Sequence, residues 1–229
     1  MINVGFIVAI DGPAGSGKGT VTKIISEKEK LVAIDTGAMY RCVALDCINN
    51  GINCEDIEGI KERLKNIDIK LKNNNGQKTV LLNGKDVTKE IRTPKVDNAV
   101  AKFAAIKIVR DKMTPLQRKM GENQDVIMEG RDIGTVVFPN ADVKIYLECS
   151  VEERARRRYK QNQAKNIKCT YEEVLESIKE RNKLETEREI APLRKADDAI
   201  LVDSTNLSID EVVNKVSEII NKKRKVEGE

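Results

Sequence analysis

A glycine-rich segment lies between a short apolar run and a helical pattern near the start of the chain. Residues 6–10 (FIVAI) form a continuous apolar run rich in β-branched side chains, as in a parallel strand buried on both faces. Residues 12–20 (GPAGSGKGT) follow, and Val21, Ile24 and Ile25 then recur at helical spacing. Strand, loop and helix in this order predict an α/β chain whose first loop lies at the carboxyl edge of a parallel sheet.

The glycine-rich segment fits the pattern G-x-x-x-x-G-K of a phosphate-binding P-loop. Its glycines let successive backbone N–H groups point into one concavity, and the helix N-terminus adds partial positive charge. The hydroxyl comes at Thr20 and not directly after Lys18, where GTPases place a magnesium ligand; this displacement resembles nucleoside-monophosphate kinases. A turn that binds nothing is the alternative. The residues predicted to hold ATP phosphates are Gly12, Pro13, Ala14, Gly15, Ser16, Gly17, Lys18, Gly19 and Thr20.

Apolar runs and helical patterns alternate along the rest of the chain. Further buried strands are predicted at 31–35, 126–128, 143–147 and 199–202. Short runs at 68–71, 79–82 and 85–87, separated by turns at 73–76 and 83–84 (Asn-Gly), predict a small antiparallel sheet. The predicted fold is α/β: one domain over 1–229 with a doubly wound parallel sheet of about five strands and an antiparallel insertion at about 60–100. Residues 222–229 are predicted to form a polar tail.

Composition excludes several function classes. The chain has 0 histidines, which removes histidine general bases, Ser-His-Asp triads and imidazole zinc sites. With 3% aromatic residues and a net charge of +4, a stacking surface for single-stranded nucleic acid is hard to assemble. No apolar run approaches the roughly 20 residues of a membrane span, so we expect a cytoplasmic protein. Buried, reduced thiols are expected at Cys42, Cys47, Cys54, Cys149 and Cys169, which form no CxxC pair.

Two further motifs place arginines after predicted strands. In the sequences DTGAMYR and MEGRDIG, Arg41 and Arg131 can clamp an acceptor phosphate, and Thr36 or Asp132 can contact a base or a ribose. The alternative is that Asp132 and Asp35 cap helices while the arginines form surface ion pairs. Two such motifs beside a P-loop favour a second binding cleft.

Two predicted helices carry rows of arginines. Arg181, Glu185 and Arg188 fall at i, i+4 and i+7 and share one face of a helix. Arg154, Arg157 and Arg158 likewise lie along one side of another helix. Arginines that close over a phosphoryl group stabilise the charge that develops there without proton transfer. A solvated, salt-bridged helix is the alternative.

From about residue 6 to residue 220 the chain resembles the bacterial cytidylate kinase family. The resemblance rests on the sequences IDGPAGSGKGT, DTGAMYR, LNGKDVTKEIRT, EGRDIGTVVFP, VEERARRRY, REIAPLRKADDAI and VDSTNLSIDEV. It implies transfer of the γ-phosphoryl group of ATP, carried as its Mg²⁺ complex, to CMP or dCMP, with no metal site of the protein's own. It also implies a core (1–59, 101–153 and 190–229), a monophosphate-binding insertion at about 60–100 and a helical lid at about 154–189.

The resemblance further implies roles for individual residues. The catalytic residues would be Lys18, Arg131, Arg158, Arg181 and Arg188, and Arg157 would join the P-loop in binding ATP. CMP would be bound at its cytosine by Thr36, Arg110 and Asp132, at its phosphate by Arg41, Arg131 and Arg188, and at its ribose by Glu185. Two positions depart from the family pattern: Glu185 stands where aspartate is usual, and Ala101 where a relative carries a base-contacting serine.

Other functions remain open at this point. A kinase for UMP, AMP or a metabolic alcohol is one alternative, and the hairpin insertion and the paired arginine motifs favour CMP over it. A non-enzymatic P-loop regulator, or a protein whose arginines contact RNA, is the other. The low aromatic content and modest charge disfavour a nucleic-acid polymer as partner. The expected partners are therefore ATP and CMP or dCMP, bound by a monomer.

Overall fold

The computed structural model describes residues 5–74 and 77–227. The strands are β1 (Ile7–Asp11), β2 (Val32–Asp35), β3 (Ile69–Asn74), β4 (Gln77–Leu82), β5 (Lys85–Asp86), β6 (Val126–Gly130), β7 (Val143–Glu148) and β8 (Ile200–Asp203). The helices are α1 (Lys18–Lys28), α2 (Thr36–Asn49), α3 (Ile57–Lys65), α4 (Pro94–Ala105), α5 (Lys107–Met120), α6 (Val151–Ala164), α7 (Tyr171–Glu187) and α8 (Ile209–Glu227). A short 3₁₀ turn (Glu90–Arg92) and a π turn (Ile133–Val137) complete the elements.

Five strands form a parallel sheet in the order β2-β6-β1-β7-β8. Because side chains alternate along β1, Val8 and Ile10 pack in one hydrophobic cluster with α1 and α8, while Ile7 and Ala9 pack in a second cluster on the other face. Every residue of β1 and β6 is buried. The predicted doubly wound parallel sheet of five strands is confirmed. The carboxyl ends of β1, β2 and β6 lie side by side at one edge.

Three short strands form the predicted antiparallel sheet. Leu71 of β3 pairs with Val80 of β4, and Leu82 of β4 pairs with Lys85 of β5. The turn between β4 and β5 is Asn83-Gly84, and both residues have positive φ, 51° and 81°, as a two-residue hairpin turn requires. In the other predicted turn, at 73–76, residues 75 and 76 lie outside the described residues.

A separate hydrophobic cluster joins this small sheet to helices α2–α5, with Ile60, Leu82, Val96 and Met113 among its buried members. Helices α6 and α7 form a hairpin around Ala155, Val174 and Ile178. Thr170 and Glu173 make a capping box that starts α7. The two helices that carry the arginine rows are thus packed against each other.

Two sequence-based expectations are wrong. Cys54 and Cys169 are only partly buried, whereas Cys42, Cys47 and Cys149 are buried; all five are free thiols. Helix α8 continues to Glu227, so most of the predicted polar tail is helical. Arg224 holds this last part of the helix against the core, because its Nη1 donates to the carbonyl oxygen of Glu29 at 3.3 Å and its guanidinium group lies over the ring of Phe6. None of the helices in the described part of the chain is both long enough and apolar enough to cross a membrane.

Candidate active site

The loop between β1 and α1 has the backbone geometry of a phosphate cradle. Gly12, Gly15 and Gly17 have φ of 149°, 84° and 96°, values that side-chain-bearing residues rarely adopt. A Cβ on Gly12 would lie 2.2 Å from the carbonyl oxygen of Leu147, so the loop also needs glycine there for space. Helix α1 begins at Lys18, directly after Gly17, and its first N–H groups face the loop.

Lys18 folds back over this loop. Its Nζ donates hydrogen bonds to the carbonyl oxygens of Gly12 and Pro13, both at 2.7 Å, and lies 3.4 Å from Oγ of Ser16. The side chain is buried, and burial, followed by the positive charge of Arg131, lowers the pKa of Lys18 to about 7. Nearby carboxylates oppose this lowering of the pKa without overcoming it, namely those of Glu129, Glu185 and Asp11.

Arg154 contacts the backbone of the P-loop from helix α6. It is 2% exposed, and its Nη1 lies 3.0 Å from the carbonyl oxygen of Ala14 and 3.0 Å from Oδ1 of Asn182. Its Nε donates to the carbonyl oxygen of Cys149 at 3.0 Å. The sequence pattern places Arg154 among the arginines that close over a phosphoryl group, but the structure buries it against the backbone of the P-loop. Helical spacing shows which residues share a face but not which way that face points.

Asp11 ties the loop region to the MEGRDIG turn. Its Oδ1 accepts from the backbone N–H of Ile133 at 2.8 Å, and its Oδ2 accepts from that of Gly134 at 2.7 Å. Burial raises the pKa of Asp11 to about 6 although these hydrogen bonds oppose the shift. The turn that carries Arg131 and Asp132 is therefore held at the carboxyl end of β1, which sequence reasoning did not predict.

Six of the arginines that were predicted to contact substrate form ion pairs with three carboxylates, two arginines with each carboxylate. The first carboxylate is Asp132, which binds Nη2 of Arg110 through Oδ2 and lies 3.6 Å from Nη2 of Arg188 through Oδ1. Burial raises the pKa of Asp132 against the opposing charges of both arginines. Arg110 also lies over the ring of Tyr40, 5.4 Å from its centroid. The side chains of Asp132, Arg110 and Arg188 are all buried.

The second carboxylate is Glu185. It is 3% exposed; its Oε2 accepts from Nε of Arg131 at 2.7 Å and its Oε1 from Nε of Arg181 at 2.8 Å. Burial alone would raise the pKa of Glu185, but the two arginines hold it well below its usual range. This carboxylate joins helix α7 to the turn after β6.

The third carboxylate is Asp97, a residue that sequence reasoning missed. Its two oxygens contact Nη1 of Arg41 and Nη2 of Arg158, so that it joins α2, α4 and α6. Burial opposes the shift, yet Arg41 and Arg158 lower the pKa of Asp97. Asp97 lies near the start of α4, where acidic residues are common because they favour the helix N-terminus, and so its sequence position carried no signal of a role in the site.

The Cytidylate kinase family model matches residues 8–222 of this chain. The chain belongs to the cytidylate kinase family. It is 51% identical over 216 residues to a cytidylate kinase of Fusobacterium nucleatum, covering 94% of this chain and 97% of the relative. It is 52% identical over 220 residues to a cytidylate kinase of Carboxydothermus hydrogenoformans, covering 96% and 99%. The resemblance inferred from the motifs is confirmed.

A solved structure agrees on the fold. An uncharacterized protein from Eubacterium ventriosum superimposes with a TM-score of 0.53 at 12% sequence identity, covering 94% of this chain and 98% of the other. At that identity the similarity concerns the α/β architecture alone.

The remaining residues that the cytidylate kinase resemblance implicates lie around the same sheet edge. Thr36 is buried at the start of α2, and its Oγ1 donates to the carbonyl oxygen of Glu129 at 2.7 Å. Arg157 lies beside the P-loop: its Nη1 is 3.8 Å from the position of a Cβ on Gly17, and its Nη2 donates to the carbonyl oxygen of Ser204 at 2.8 Å. The structure thus brings the two sets of predicted site residues to neighbouring parts of one edge.

The capping alternative holds for one of the two aspartates. Asp35 accepts from the backbone N–H of Ala38 at 3.0 Å as the N-cap of α2, and it also pairs with Arg92 at 2.7 Å. Asp132 makes no side-chain cap to the π turn that follows it. Its carboxylate faces Arg110 and Arg188 instead. Ala101 is buried on α4.

Proposed function

We propose that this member of the cytidylate kinase family transfers the γ-phosphoryl group of ATP, bound with Mg²⁺, to CMP and dCMP, giving ADP and CDP or dCDP. The observation that carries the proposal is the gathering of six arginines on three carboxylates beside the P-loop. Within this set six cations face three anions, so the three bridges carry an excess of positive charge. Nucleotide phosphates would neutralise that excess.

The donor side is formed by the P-loop. Its backbone N–H groups and the N-terminus of α1 would hold the ATP phosphates, and Lys18 would leave the carbonyl oxygens of Gly12 and Pro13 for the terminal phosphates. Arg157, beside Gly17, would contact ATP from α6.

The acceptor side is formed by α2, α5 and the turn after β6. A carboxylate accepts hydrogen bonds, and cytosine presents an exocyclic amino group where uracil presents a carbonyl oxygen; Asp132 therefore favours cytosine. Arg110 and Thr36 would complete the contacts to the base. The acceptor phosphate would lie against Arg41, Arg131 and Arg188, and Glu185 would contact the ribose.

Positioning and charge would perform the transfer, since phosphoryl transfer needs little proton chemistry from the protein. Lys18, Arg131, Arg158, Arg181 and Arg188 would surround the transferred group and stabilise the charge on its equatorial oxygens. The α6–α7 hairpin, within the proposed lid at about 154–189, would close over the two nucleotides. The antiparallel sheet lies within the proposed monophosphate-binding insertion at about 60–100.

Magnesium would arrive with ATP. Its oxygen ligands would be phosphates and water, and it would neutralise charge on the phosphates. The carboxylate of Glu129 is near the P-loop, with Oε1 3.5 Å from the position of a Cβ on Gly19, and suits hydrogen bonds to metal-bound water. No group of three or more potential acidic, cysteine or histidine ligands occurs within residues 5–74 and 77–227. The donor set fits a hydrated ion carried by the nucleotide.

The test is ADP formation from ATP and Mg²⁺ with CMP, dCMP, UMP, AMP or no acceptor, run in parallel. We expect turnover with CMP and dCMP, abolished in Lys18→Ala and retained in Lys23→Ala, which removes an exposed lysine from the same helix. Turnover with only UMP or AMP would show that one of these nucleotides, and not CMP, is the acceptor. ATP binding without acceptor-dependent turnover would favour the P-loop regulator. The monomeric state and the cytoplasmic location stay predictions.

A further inference from the structure

Asp97 lies between two arginines that come from different helices. Its Oδ1 contacts Nη1 of Arg41 on α2, and its Oδ2 contacts Nη2 of Arg158 on α6. The side chains of Asp97 and Arg41 are 13% and 12% exposed, and that of Arg158 is 40% exposed. Two positively charged guanidinium groups therefore contact the same carboxylate in a half-buried position. Without this carboxylate, their mutual repulsion would separate them.

The Arg41–Asp97–Arg158 bridge leaves both guanidinium groups able to bind phosphate. Arg41 uses Nη1 for Asp97 and for the carbonyl oxygen of Ile91 at 3.1 Å, and Arg158 uses Nη2 for Asp97. The other guanidinium nitrogens of these two arginines make no hydrogen bond within the described residues. Two neighbouring N–H groups of one guanidinium are what a bidentate phosphate contact requires. Asp97 thus contacts one nitrogen of each guanidinium group and leaves the other nitrogens for a phosphate.

We propose that Asp97 is a positioning residue for phosphoryl transfer, which holds Arg158 of the α6–α7 hairpin beside Arg41 before nucleotides bind. Asp97 itself contacts neither nucleotide; it acts through Arg158. The inference rests on the proposed function, because Arg158 matters to the reaction only if it lies over the transferred group. Asp97 lies outside every motif that carries the family resemblance, and the resemblance assigns it no role.

Arg158 depends on Asp97 more than Arg41 does. The carbonyl oxygen of Ile91 still holds Nη1 of Arg41 when the carboxylate is removed, whereas Asp97 is the sole hydrogen-bond partner of Arg158 in the part of the chain that the structure describes. Loss of the carboxylate should therefore displace the arginine that acts on the transferred group and spare the one that binds the acceptor. The effect should fall on kcat and not on the KM for CMP.

The kinetic experiment compares Asp97→Asn with wild type in the full chain. We expect kcat with CMP to fall about tenfold, because one charge-assisted contact is lost, while the KM for CMP changes less than about threefold. In an Arg158→Ala background the same substitution should change kcat less than about twofold. Asp97→Glu, which keeps the charge, should recover part of the loss. Asp111→Asn removes an exposed carboxylate from α5 and serves as the matched control.

A second measurement does not depend on activity. Amide hydrogen exchange in α6 should be faster in nucleotide-free Asp97→Asn than in wild type, and the difference should vanish with CMP and a non-hydrolysable ATP analogue, whose phosphates replace the missing negative charge. Unchanged kcat and unchanged exchange would overturn the proposal, as would an equal loss of kcat with and without Arg158. Absence of CMP turnover in wild type would instead contradict the proposed function, and the exchange experiment would still test the bridge.

Discussion

The carboxylate of Glu185 accepts a hydrogen bond from Nε of Arg131 at 2.7 Å and so joins helix α7 to the turn that follows β6. The same carboxylate holds Arg181 through its other oxygen at 2.8 Å. Glu185 is almost completely buried, so its charge is stabilised there by the two arginines. Removing the carboxylate would in turn leave both arginines without this negative partner.

Replacing Glu185 with glutamine should therefore impair the kinase strongly. The neutral amide leaves Arg131 and Arg181 without a negative partner, and we expect kcat/KM for CMP to fall by about 10- to 100-fold. Steady-state kinetics with CMP and dCMP measure the effect. If Glu185 contacts the ribose 2′-hydroxyl, the loss should be larger for CMP than for dCMP.

Glu180→Gln is the control for this variant, because Glu180 is exposed on the same helix. It should leave kcat/KM within about twofold of wild type. Equal rates for Glu185→Gln and wild type would show that the buried carboxylate has no part in the reaction, and equal losses with CMP and dCMP would remove the proposed ribose contact.

Ala101 offers a test of the base contacts. A serine hydroxyl at this buried position on α4 would restore a hydrogen bond to the base, and we expect Ala101→Ser to bind CMP about fivefold more tightly, or about 1 kcal/mol. Isothermal titration of CMP measures this change. Ala99→Ser is the matched control, because Ala99 lines a separate cavity with Asn98 and Lys102. Unchanged affinity in Ala101→Ser would show that the base does not lie within hydrogen-bond distance of residue 101.

The strands could be predicted because parallel strands buried on both faces are short continuous apolar runs. The run at 6–10 became β1 (Ile7–Asp11), and the run at 143–147 became β7 (Val143–Glu148). The hairpin followed equally from Asn83-Gly84, since few other residue pairs adopt two positive φ angles. In each case local sequence determines local geometry. For β1 and β7 the predicted and observed ends differ by no more than one residue, whereas β6 continues two residues beyond its predicted end.

Pairings between distant side chains could not be predicted in this way. Asp97 and Arg158 are 61 positions apart, and nothing in the sequence around either shows that α4 and α6 meet. Arg154 belongs to an arginine run that is typical of an exposed helix, yet it is buried under the P-loop at Ala14. The motifs indicated which residues belong to the site, whereas the carboxylate that each arginine contacts depends on how the helices pack.

Asp11 should matter to stability more than to binding. Asp11→Ala leaves the backbone N–H groups of Ile133 and Gly134 buried without acceptors, and we expect the free energy of unfolding to fall by about 2–4 kcal/mol. Urea denaturation followed by circular dichroism measures the loss. Asp111→Ala, on the exposed side of α5, should leave the denaturation midpoint nearly unchanged. A midpoint equal to wild type in Asp11→Ala would mean that water replaces the carboxylate without cost.

Lys18 should couple ATP binding to proton uptake. With a pKa of about 7 in the nucleotide-free protein, Lys18 is mostly neutral at pH 8, and the triphosphate would restore its charge because it places negative oxygens beside Nζ. Binding at pH 8 should therefore take up about 0.9 proton, and at pH 6 about 0.1. Calorimetric titration of Mg-ATP in two buffers of different ionisation enthalpy measures the uptake at each pH.

The same linkage sets the pH dependence of affinity. Since the free protein must gain a proton to bind ATP, the Kd for ATP should rise about tenfold for each pH unit above 8 and stay nearly constant below pH 6. The uptake should be absent in Lys18→Met, whose side chain has similar length and no charge, at whatever affinity remains. No proton uptake at pH 8 in wild type would mean that Lys18 keeps its charge in the nucleotide-free loop, where the carbonyl oxygens of Gly12 and Pro13 would then suffice to hold the ammonium group.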